Sequence, residues 1–353
     1  MSMITFRKLL SERIRGQPYI SLLGLLVVGH CCGITSVHSI ENDSKFFTEF
    51  RYIPAEGLGY EEGVTRRDPS DVIKVRSRYF VWYTKTSHGS SGYNATIWYA
   101  ISPDGKRWTE KNEALPRGSK GAWDEHSVFT PNILVAKDKY YLFYTAVPEP
   151  FTNDNGGPKG TRTAIGVAIS NSPDGPWKRY AGNPVLLPSN KRDDFDSHRV
   201  DDACLVVRNG KYWLYYKGRQ LGLRPSQTKM GVAIATRPEG PYVKSKWNPL
   251  IKSGHEVLVW PCHEGVAALI GPTGPEKNTI QYAPDGLRFS IKAHIRNAPK
   301  APGGYRPDAF TNTTFGIGIT WGIAMGSYGT WPYLVRFDCD LSLRKVKDVK
   351  SKR

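Results

Sequence analysis

One short aromatic pattern recurs along this chain, and its recurrence restricts the fold more than any other feature of the sequence. A basic residue is followed by a run of aromatic and aliphatic residues at Arg78–Thr84, Lys139–Thr145 and Lys211–Lys217. The starts of these runs lie 61 and 72 residues apart. Aromatic and β-branched residues are typical of buried strands. Their repetition at this period predicts an array of similar β units.

A turn signal follows each of these runs. Pro-Asp-Gly or Pro-Glu-Gly stands shortly before an aromatic residue in four places, at 103–108, 173–177, 238–242 and 284–289. Proline and glycine supply the backbone angles of tight turns, so each signal predicts a hairpin. Each unit then has about four strands within about 45 to 70 residues. Four such units, and a fifth at 305–341, predict an all-β, five-bladed β-propeller over residues 61–341.

Both ends of the chain lie outside this predicted propeller. Residues 1–39 have four arginines and lysines before the short apolar run Tyr19–Val28, which is the pattern of a signal peptide. The run is too short to span a bilayer easily. Residues 40–60 are interpreted as an N-terminal arm and residues 342–353 as a frayed basic tail. We therefore expect a secreted or periplasmic protein.

Charge and cysteine content narrow the classes of partner. The formal net charge is +17, and a strongly basic protein attracts anionic polymers. No helix-turn-helix, RNA-recognition or zinc-finger pattern is present, so we expect no nucleic acid and favour a sulfated polysaccharide. The mature chain keeps Cys204, Cys262 and Cys339, which allow at most one disulfide and are interpreted as single buried thiols.

Acidic residues recur near the start of most units, where the first strand of a propeller blade lines the central channel. They are Asp68, Asp201, Asp202, Glu264 and Asp308. Asp68 and Asp201 each lie ten residues before the basic residue that opens the next aromatic run, so a comparison without gaps aligns these two and leaves Asp202 as the alternative. Carboxylates around one channel repel each other, so some must have a shifted pKa, pair with a base or share a cation.

Such a ring of carboxylates suits glycoside hydrolysis, which uses two carboxyl groups on opposite faces of a sugar. In the inverting mechanism the two groups stand roughly 6.5–9.5 Å apart, with a water between. Nearby polar and aromatic side chains are candidates for sugar binding: Arg67, Trp123, His126, Thr130, His198, Arg199, Trp260 and Asp308. The alternative is a carbohydrate-binding propeller without catalysis, which would need neither an acid nor a base.

Six segments together resemble glycoside hydrolase family 117. They are residues 66–70, 79–85, 127–131, 166–170, 198–202 and 260–265. These enzymes are exo-acting α-1,3-(3,6-anhydro-L-galactosidases), distantly related to the propellers of family 43, and the resemblance covers about residues 60–340. It implies release of terminal 3,6-anhydro-L-galactose from agar-type oligosaccharides by an inverting mechanism. A family 43-like glycosidase of another specificity is the alternative. No cofactor is expected, although the acidic channel could hold a single cation.

The resemblance also implies roles for particular residues. Asp68 matches the general base, and Asp201 or Asp202 the supporting carboxylate. His263 and Glu264 match the acid region, in which a histidine protonates the leaving oxygen. A neighbouring carboxylate would favour the protonated histidine, and if His263 is only a supporting residue, Glu264 is the acid.

Two features depart from the family pattern. His255–Glu256 is a second His-Glu pair just upstream, interpreted as a loop feature. Family members exchange a helical N-terminal arm between the partners of a homodimer. Here only about 20 residues separate the expected cleavage site from the first blade. A homodimer is therefore expected only if this short segment is long enough to serve as the exchanged arm.

Overall fold

The computed structural model describes residues 49–88, 94–150, 161–307, 316–327 and 329–341. The predicted signal peptide, the basic tail and Asp308 lie outside the described residues, as do residues 40–48 of the predicted arm. Within the described ranges, no helix is long and apolar enough to cross a bilayer. One 3-10 turn, Pro225–Gln227, is the helical element of this part of the chain.

The described residues form 22 strands, numbered here in chain order, in five antiparallel sheets. The first strand is β1 (Arg51–Pro54). Blade one contains β2 (Thr65–Arg67), β3 (Ile73–Val75), β4 (Arg78–Thr86), β5 (Thr96–Ser102) and β6 (Thr109–Leu115). Blade two contains β7 (Ser127–Ala136), β8 (Lys139–Val147), β9 (Ala164–Ser170) and β10 (Lys178–Arg179). Blade three contains β11 (Arg199–Arg208), β12 (Lys211–Arg219), β13 (Lys229–Ala235) and β14 (Val243–Lys244). Blade four contains β15 (Val257–His263), β16 (Gly265–Ile270), β17 (Thr279–Ala283) and β18 (Ser290–His294). The remaining strands are β19 (Lys300–Gly304), β20 (Gly316–Ile317), β21 (Trp321–Met325) and β22 (Leu334–Asp338).

The ring of blades is closed by the first strand of the chain. Blade five has the order β19-β21-β22-β1, with Arg51 opposite Asp338. The propeller therefore begins at Arg51, and the predicted boundary at residue 61 is corrected. The burial pattern explains the difference, because β1 is a mostly exposed edge strand without the aromatic run that marks the other blades. β20 pairs with β15 and so belongs to the sheet of blade four.

The two repeated sequence signatures pack against each other between blades. The aromatic residue after three of the four turn signals meets an aromatic residue of the preceding blade edge to face. The pairs are Trp177 on Trp82 at 5.9 Å, Tyr242 on Phe143 at 5.9 Å and Phe289 on Tyr215 at 6.2 Å. Edge-to-face pairs at this separation stabilise beyond the burial of their surface. The predicted five-bladed propeller is confirmed, with its repeats acting as interblade contacts.

Candidate active site

The innermost strand of four blades changes direction near its start. Asp68, Thr130, Asp202 and Ala301 have φ between 42° and 52°, the left-handed region that favours glycine. The pairing register shifts at the same place, for example between Asp201 and Cys204. A bulge of this kind re-aims a side chain. It makes Asp202, and not Asp201, the equivalent of Asp68, so the alignment without gaps is corrected.

These bulges surround a cavity of about 50 Å³ at one mouth of the central channel. Every blade contributes at least two adjacent residues to its wall: Asp68–Pro69, Thr130–Asn132, Asp202–Cys204, Glu256–Val257 and Ala301–Pro302. The space holds a few water molecules, at roughly 10–15 Å³ each. Three carboxylates from blades one, three and four therefore face a single cavity.

A buried ion pair links the inner segments of three blades near this cavity. Asp71 lies three residues beyond Asp68, and its Oδ2 is 3.1 Å from Arg306 Nη1. The backbone N–H of Gly304 donates to Asp71 Oδ1 at 2.9 Å, and Arg306 donates to the carbonyl of Leu205 at 3.3 Å. Both charged side chains are almost fully buried. These contacts therefore link blades one, three and five next to the cavity.

Asp68 is held by its neighbour in sequence. Arg67 Nε donates to Asp68 Oδ2 at 2.8 Å, and both side chains are largely buried. A charge-assisted hydrogen bond from arginine stabilises the ionised carboxylate. Asp68 is thus placed as a proton acceptor at the cavity wall.

Asp202 has a different environment. Lys217 Nζ lies 2.6 Å from Asp202 Oδ2 and 3.4 Å from Asp201 Oδ1. Burial raises the pKa of Asp202 to about 7; Lys217 opposes this shift, and the charges of Asp201 and Asp68 add to it. Asp202 Oδ1 has no hydrogen-bond partner in the described part of the chain. Asp202 is therefore a carboxyl group of the cavity whose proton affinity is raised by its surroundings, as acid/base catalysis can use.

Glu256 supplies the third carboxylate, from the start of blade four. The N–H of Ala301 donates to its Oε2 at 3.1 Å, and its side chain is buried at the cavity wall. His255 precedes it and is half-buried. Burial and the charges of Lys217, Arg219 and Arg67 lower the pKa of His255 to about 3, so its ring is neutral at neutral pH. His255–Glu256, the pair interpreted from the sequence as a loop feature, is therefore the pair at the mouth of the channel.

His263 and Glu264 lie at the opposite end of the same blade. Cys262 pairs with Gly265, so His263 and Glu264 form the hairpin turn between β15 and β16. Seven residues separate Glu256 from His263, which is roughly 23 Å at about 3.3 Å per residue. The predicted acid region is therefore corrected: the His-Glu pair at the mouth is His255–Glu256.

A spacing present in the sequence identifies the right pair. Seven residues separate Thr130 from Lys137 in blade two, and Asp202 from Asn209 in blade three. Lys137 and Asn209 are hairpin residues with positive φ, as His263 is. Counting back seven from His263 reaches Glu256. Lys217 was also missed, because it ends the aromatic run Lys211–Lys217, whose other residues indicate only a buried core.

The structure places only some of the predicted sugar-binding residues near the mouth cavity. Thr130 lines the mouth cavity, and Arg67 contacts Asp68 in the cavity wall. Trp260 is buried in the core of blade four, only 1% exposed, so its predicted role in sugar binding is corrected. His198 and Arg199 are buried at the start of β11 without lining the mouth cavity.

Two predicted residues come from the segment before β7. His126 is half-buried and donates its backbone N–H to Val147. Burial, helped by the charge of Arg117, lowers the pKa of His126. Trp123 lines a second cavity on the rim, described below. Neither residue lines the mouth cavity.

Thiols and metal ligands add little to the site. Cys204, Cys262 and Cys339 are all unpaired, and Cys204 lies in the cavity wall. Within the ranges that the structure describes, no three His, Cys, Asp or Glu side chains are arranged to hold a metal ion.

The sequence and the fold have counterparts among known proteins. The family model for glycosyl hydrolases family 43 matches residues 64–203. The extracellular endo-alpha-(1->5)-L-arabinanase of Thermotoga petrophila is 26% identical over 168 residues, which cover 42% of this chain and 33% of that protein. The chain thus matches about a third of the length of this relative. The α-L-arabinofuranosidase of Podospora anserina, solved with cellotriose, shares the fold at a TM-score of 0.56 and 12% identity, covering 84% of this chain and 97% of that one.

A stronger likeness extends over nearly the whole propeller. Zg3597, a family 117 glycoside hydrolase from the marine bacterium Zobellia galactanivorans, is 35% identical to this chain. The match covers 85% of this chain and 92% of that chain, with a TM-score of 0.76. Identity at this level across a complete propeller, together with carboxylates at the mouth, confirms the resemblance seen in the sequence: this chain is a glycoside hydrolase and belongs to glycoside hydrolase family 117.

Proposed function

We propose that this enzyme is exo-acting and releases terminal 3,6-anhydro-L-galactose from agar-type galactan oligosaccharides. The observation that supports this most is the small cavity at the mouth of the channel, with Asp68, Asp202 and Glu256 in its wall. We infer exo action from the small size of this cavity, because a chain terminus fits a small cavity more easily than the middle of a polymer does. The anhydro-sugar itself is inferred from the family.

The mechanism follows from the differing environments of the carboxyl groups. Asp68, ionised beside Arg67, takes a proton from a water molecule as the water oxygen bonds to the anomeric carbon. The glycosidic bond breaks on the opposite face of the sugar, and the leaving oxygen takes a proton. Attack by water without a covalent intermediate inverts the anomeric configuration.

We assign the proton donor to the His255–Glu256 pair, and within it to Glu256. Glu256 lines the cavity, while the lowered pKa of His255 keeps its ring neutral at neutral pH. The donor leaves the reaction as a carboxylate and Asp68 as a carboxylic acid, and exchange with solvent restores both. Asp202 is the supporting carboxylate, held by Lys217 beside the reacting sugar.

Product analysis tests this proposal. Purified enzyme is incubated with neoagarobiose, with oligosaccharides from porphyran and carrageenan, and with α-1,5-arabino-oligosaccharides. We expect 3,6-anhydro-L-galactose from neoagarobiose, with the anomer of the fresh product followed by NMR. Arabinose release with neoagarobiose intact would instead favour the second candidate, a family 43-like arabinan hydrolase, which the family 43 match over residues 64–203 supports. A rapid fall in the viscosity of agar solutions would contradict exo action.

A further inference from the structure

A second and larger cavity lies on the rim of the propeller, beside blades two and three. Its volume is about 270 Å³, compared with about 50 Å³ for the mouth cavity. Trp123, Arg162, Leu187 and Asn190 are among the side chains that line it. Small-molecule sites occupy roughly 300–1,000 Å³, so this space suits one or two sugar rings.

Two sets of hydrogen bonds connect this cavity to the catalytic mouth. Thr163, in the cavity wall, donates its hydroxyl to the carbonyl of Val200 and accepts the N–H of Val200, both at 3.0 Å. Val200 stands two residues before Asp202, roughly 7 Å along a strand. Ala146, also in the wall, follows Thr145, whose hydroxyl accepts the N–H of Asp202 at 3.3 Å. The rim cavity therefore adjoins the Asp202 side of the mouth.

The aromatic ring in this cavity is held in one orientation. Trp123 stacks on Tyr144, with ring centroids 5.6 Å apart and planes inclined by 24°. Its six-membered ring also packs over Gly166, where an added Cβ would lie 2.6 Å from the indole. A ring fixed by its neighbours costs little conformational entropy when a ligand stacks on it.

Polar groups beside the ring complete a carbohydrate site. Arg162 Nη2 donates to the carbonyls of Ser189 and Ser197, at 3.2 and 3.4 Å. Guanidinium has five N–H donors, so others can reach sugar hydroxyls. Asn190 adds an amide, which both donates and accepts. A flat apolar ring with convergent donors and acceptors matches a sugar, which has a C–H face and a rim of hydroxyls.

We propose that the rim cavity is a distal subsite, which binds galactan units beyond the scissile bond. This inference rests on the proposed function, because it assumes that the terminal unit occupies the mouth. A subsite of this kind favours long oligosaccharides over disaccharides, and Trp123 and Arg162 would be its main contacts.

The test fills the cavity from its exposed edge. Leu187 is 57% exposed, so Leu187→Trp adds bulk to the cavity with little effect on the core. We expect this variant to lower kcat/KM for neoagarohexaose about tenfold, the equivalent of one well-formed ring contact. Its kcat/KM for neoagarobiose should equal that of the wild type.

Two further variants separate binding from stability. Trp123→Ala removes the ring itself, and its melting temperature is recorded because Trp123 packs on Tyr144. Trp247→Ala is the matched control, since Trp247 is 49% exposed and does not line the cavity. It should behave as the wild type with both substrates.

The outcomes distinguish the subsite from the proposed function. If the wild type hydrolyses both substrates and Leu187→Trp changes neither rate, or lowers both equally, the subsite is overturned while the function stands. If the wild type hydrolyses neither, the proposed function fails, and neoagarohexaose binding is then measured by calorimetry. Weaker binding to Leu187→Trp than to wild type keeps the subsite. Equal or undetectable binding to both overturns it.

Discussion

The two His-Glu pairs of blade four provide a matched experiment on where the site lies. Glu256→Gln and Glu264→Gln make the same chemical change at the two ends of β15. Glu256 lines the cavity and accepts the N–H of Ala301, a bond that a glutamine carbonyl can keep. Glu264 is exposed in a hairpin turn, where its backbone carbonyl, and not its side chain, accepts from Arg208.

The expected effects differ by orders of magnitude. Glutamine cannot donate an acidic proton, so Glu256→Gln should lower kcat by about 10²–10⁴-fold. At 1.36 kcal/mol per factor of ten, this is about 3–5 kcal/mol of lost transition-state stabilisation. Glu264→Gln changes an exposed side chain away from the cavity, so stability and kcat should stay within about 0.5 kcal/mol of wild type.

The assay is kcat on neoagarobiose and on an activated aryl glycoside, with melting temperature as the control for folding. Glu256→Gln should affect the aryl glycoside far less, because a good leaving group needs little protonation. A large loss in Glu264→Gln with normal activity in Glu256→Gln would refute the placement of the site. If His255→Ala, and not Glu256→Gln, spares the aryl glycoside, His255 is the donor and the assignment within the pair is reversed.

Four further outcomes follow from the same geometry. Asp68→Asn should lower kcat on neoagarobiose about 10²–10⁴-fold at an unchanged melting temperature, since an amide cannot accept a proton from water; near-normal turnover would remove Asp68 as the base. Lys217→Met should raise the pKa of Asp202 above about 7, because a lysine that opposes the upward shift is lost. If ionised Asp202 is required, the acidic limb of kcat/KM then moves to higher pH, and a limb that stays in place would contradict this role. Arg306→Met removes the guanidinium that pairs with buried Asp71, so the free energy of unfolding in urea should fall by about 3–5 kcal/mol. A fall of less than about 1 kcal/mol would contradict this role of the ion pair. Affinity for sulfated galactan oligosaccharides should fall with salt in calorimetry, because the net charge is +17 and the Debye length shrinks to about 8 Å at 0.15 M; salt-independent binding would leave the basic surface without a substrate role.

The fold was predictable because its repeated residues make the contacts that define it. The aromatic runs become the buried second strands of blades one to three, and the aromatic residues after the turns dock on them, as Trp177 does on Trp82. Sequence repeats of this kind report packing directly. The N-terminal strand β1 lacked any such signal, because an exposed edge strand needs no buried side chains.

The site was harder to predict, because the order of residues does not state at which end of a strand they lie. The dipeptides His255–Glu256 and His263–Glu264 are identical and stand at the two ends of the same strand. Only the position of the hairpin shows which of them lies at the mouth of the channel. The bulge at Asp202 likewise adds a residue that a comparison without gaps cannot place. Electrostatic partners such as Lys217 become visible only when neighbouring strands are paired.

The strained backbone at the mouth belongs to the fold and not to the chemistry. Left-handed φ at a residue other than glycine costs of order 1–3 kcal/mol and is often a sign of function. Here Thr130 and Ala301 have the same backbone conformation as Asp68 and Asp202, although neither has an ionisable side chain. The geometry of these four blades therefore aims one side chain at the cavity whatever its identity. Catalysis requires only that some of these positions hold carboxylates, so specificity within such propellers can change by substitution at the mouth and rim while the blades stay the same.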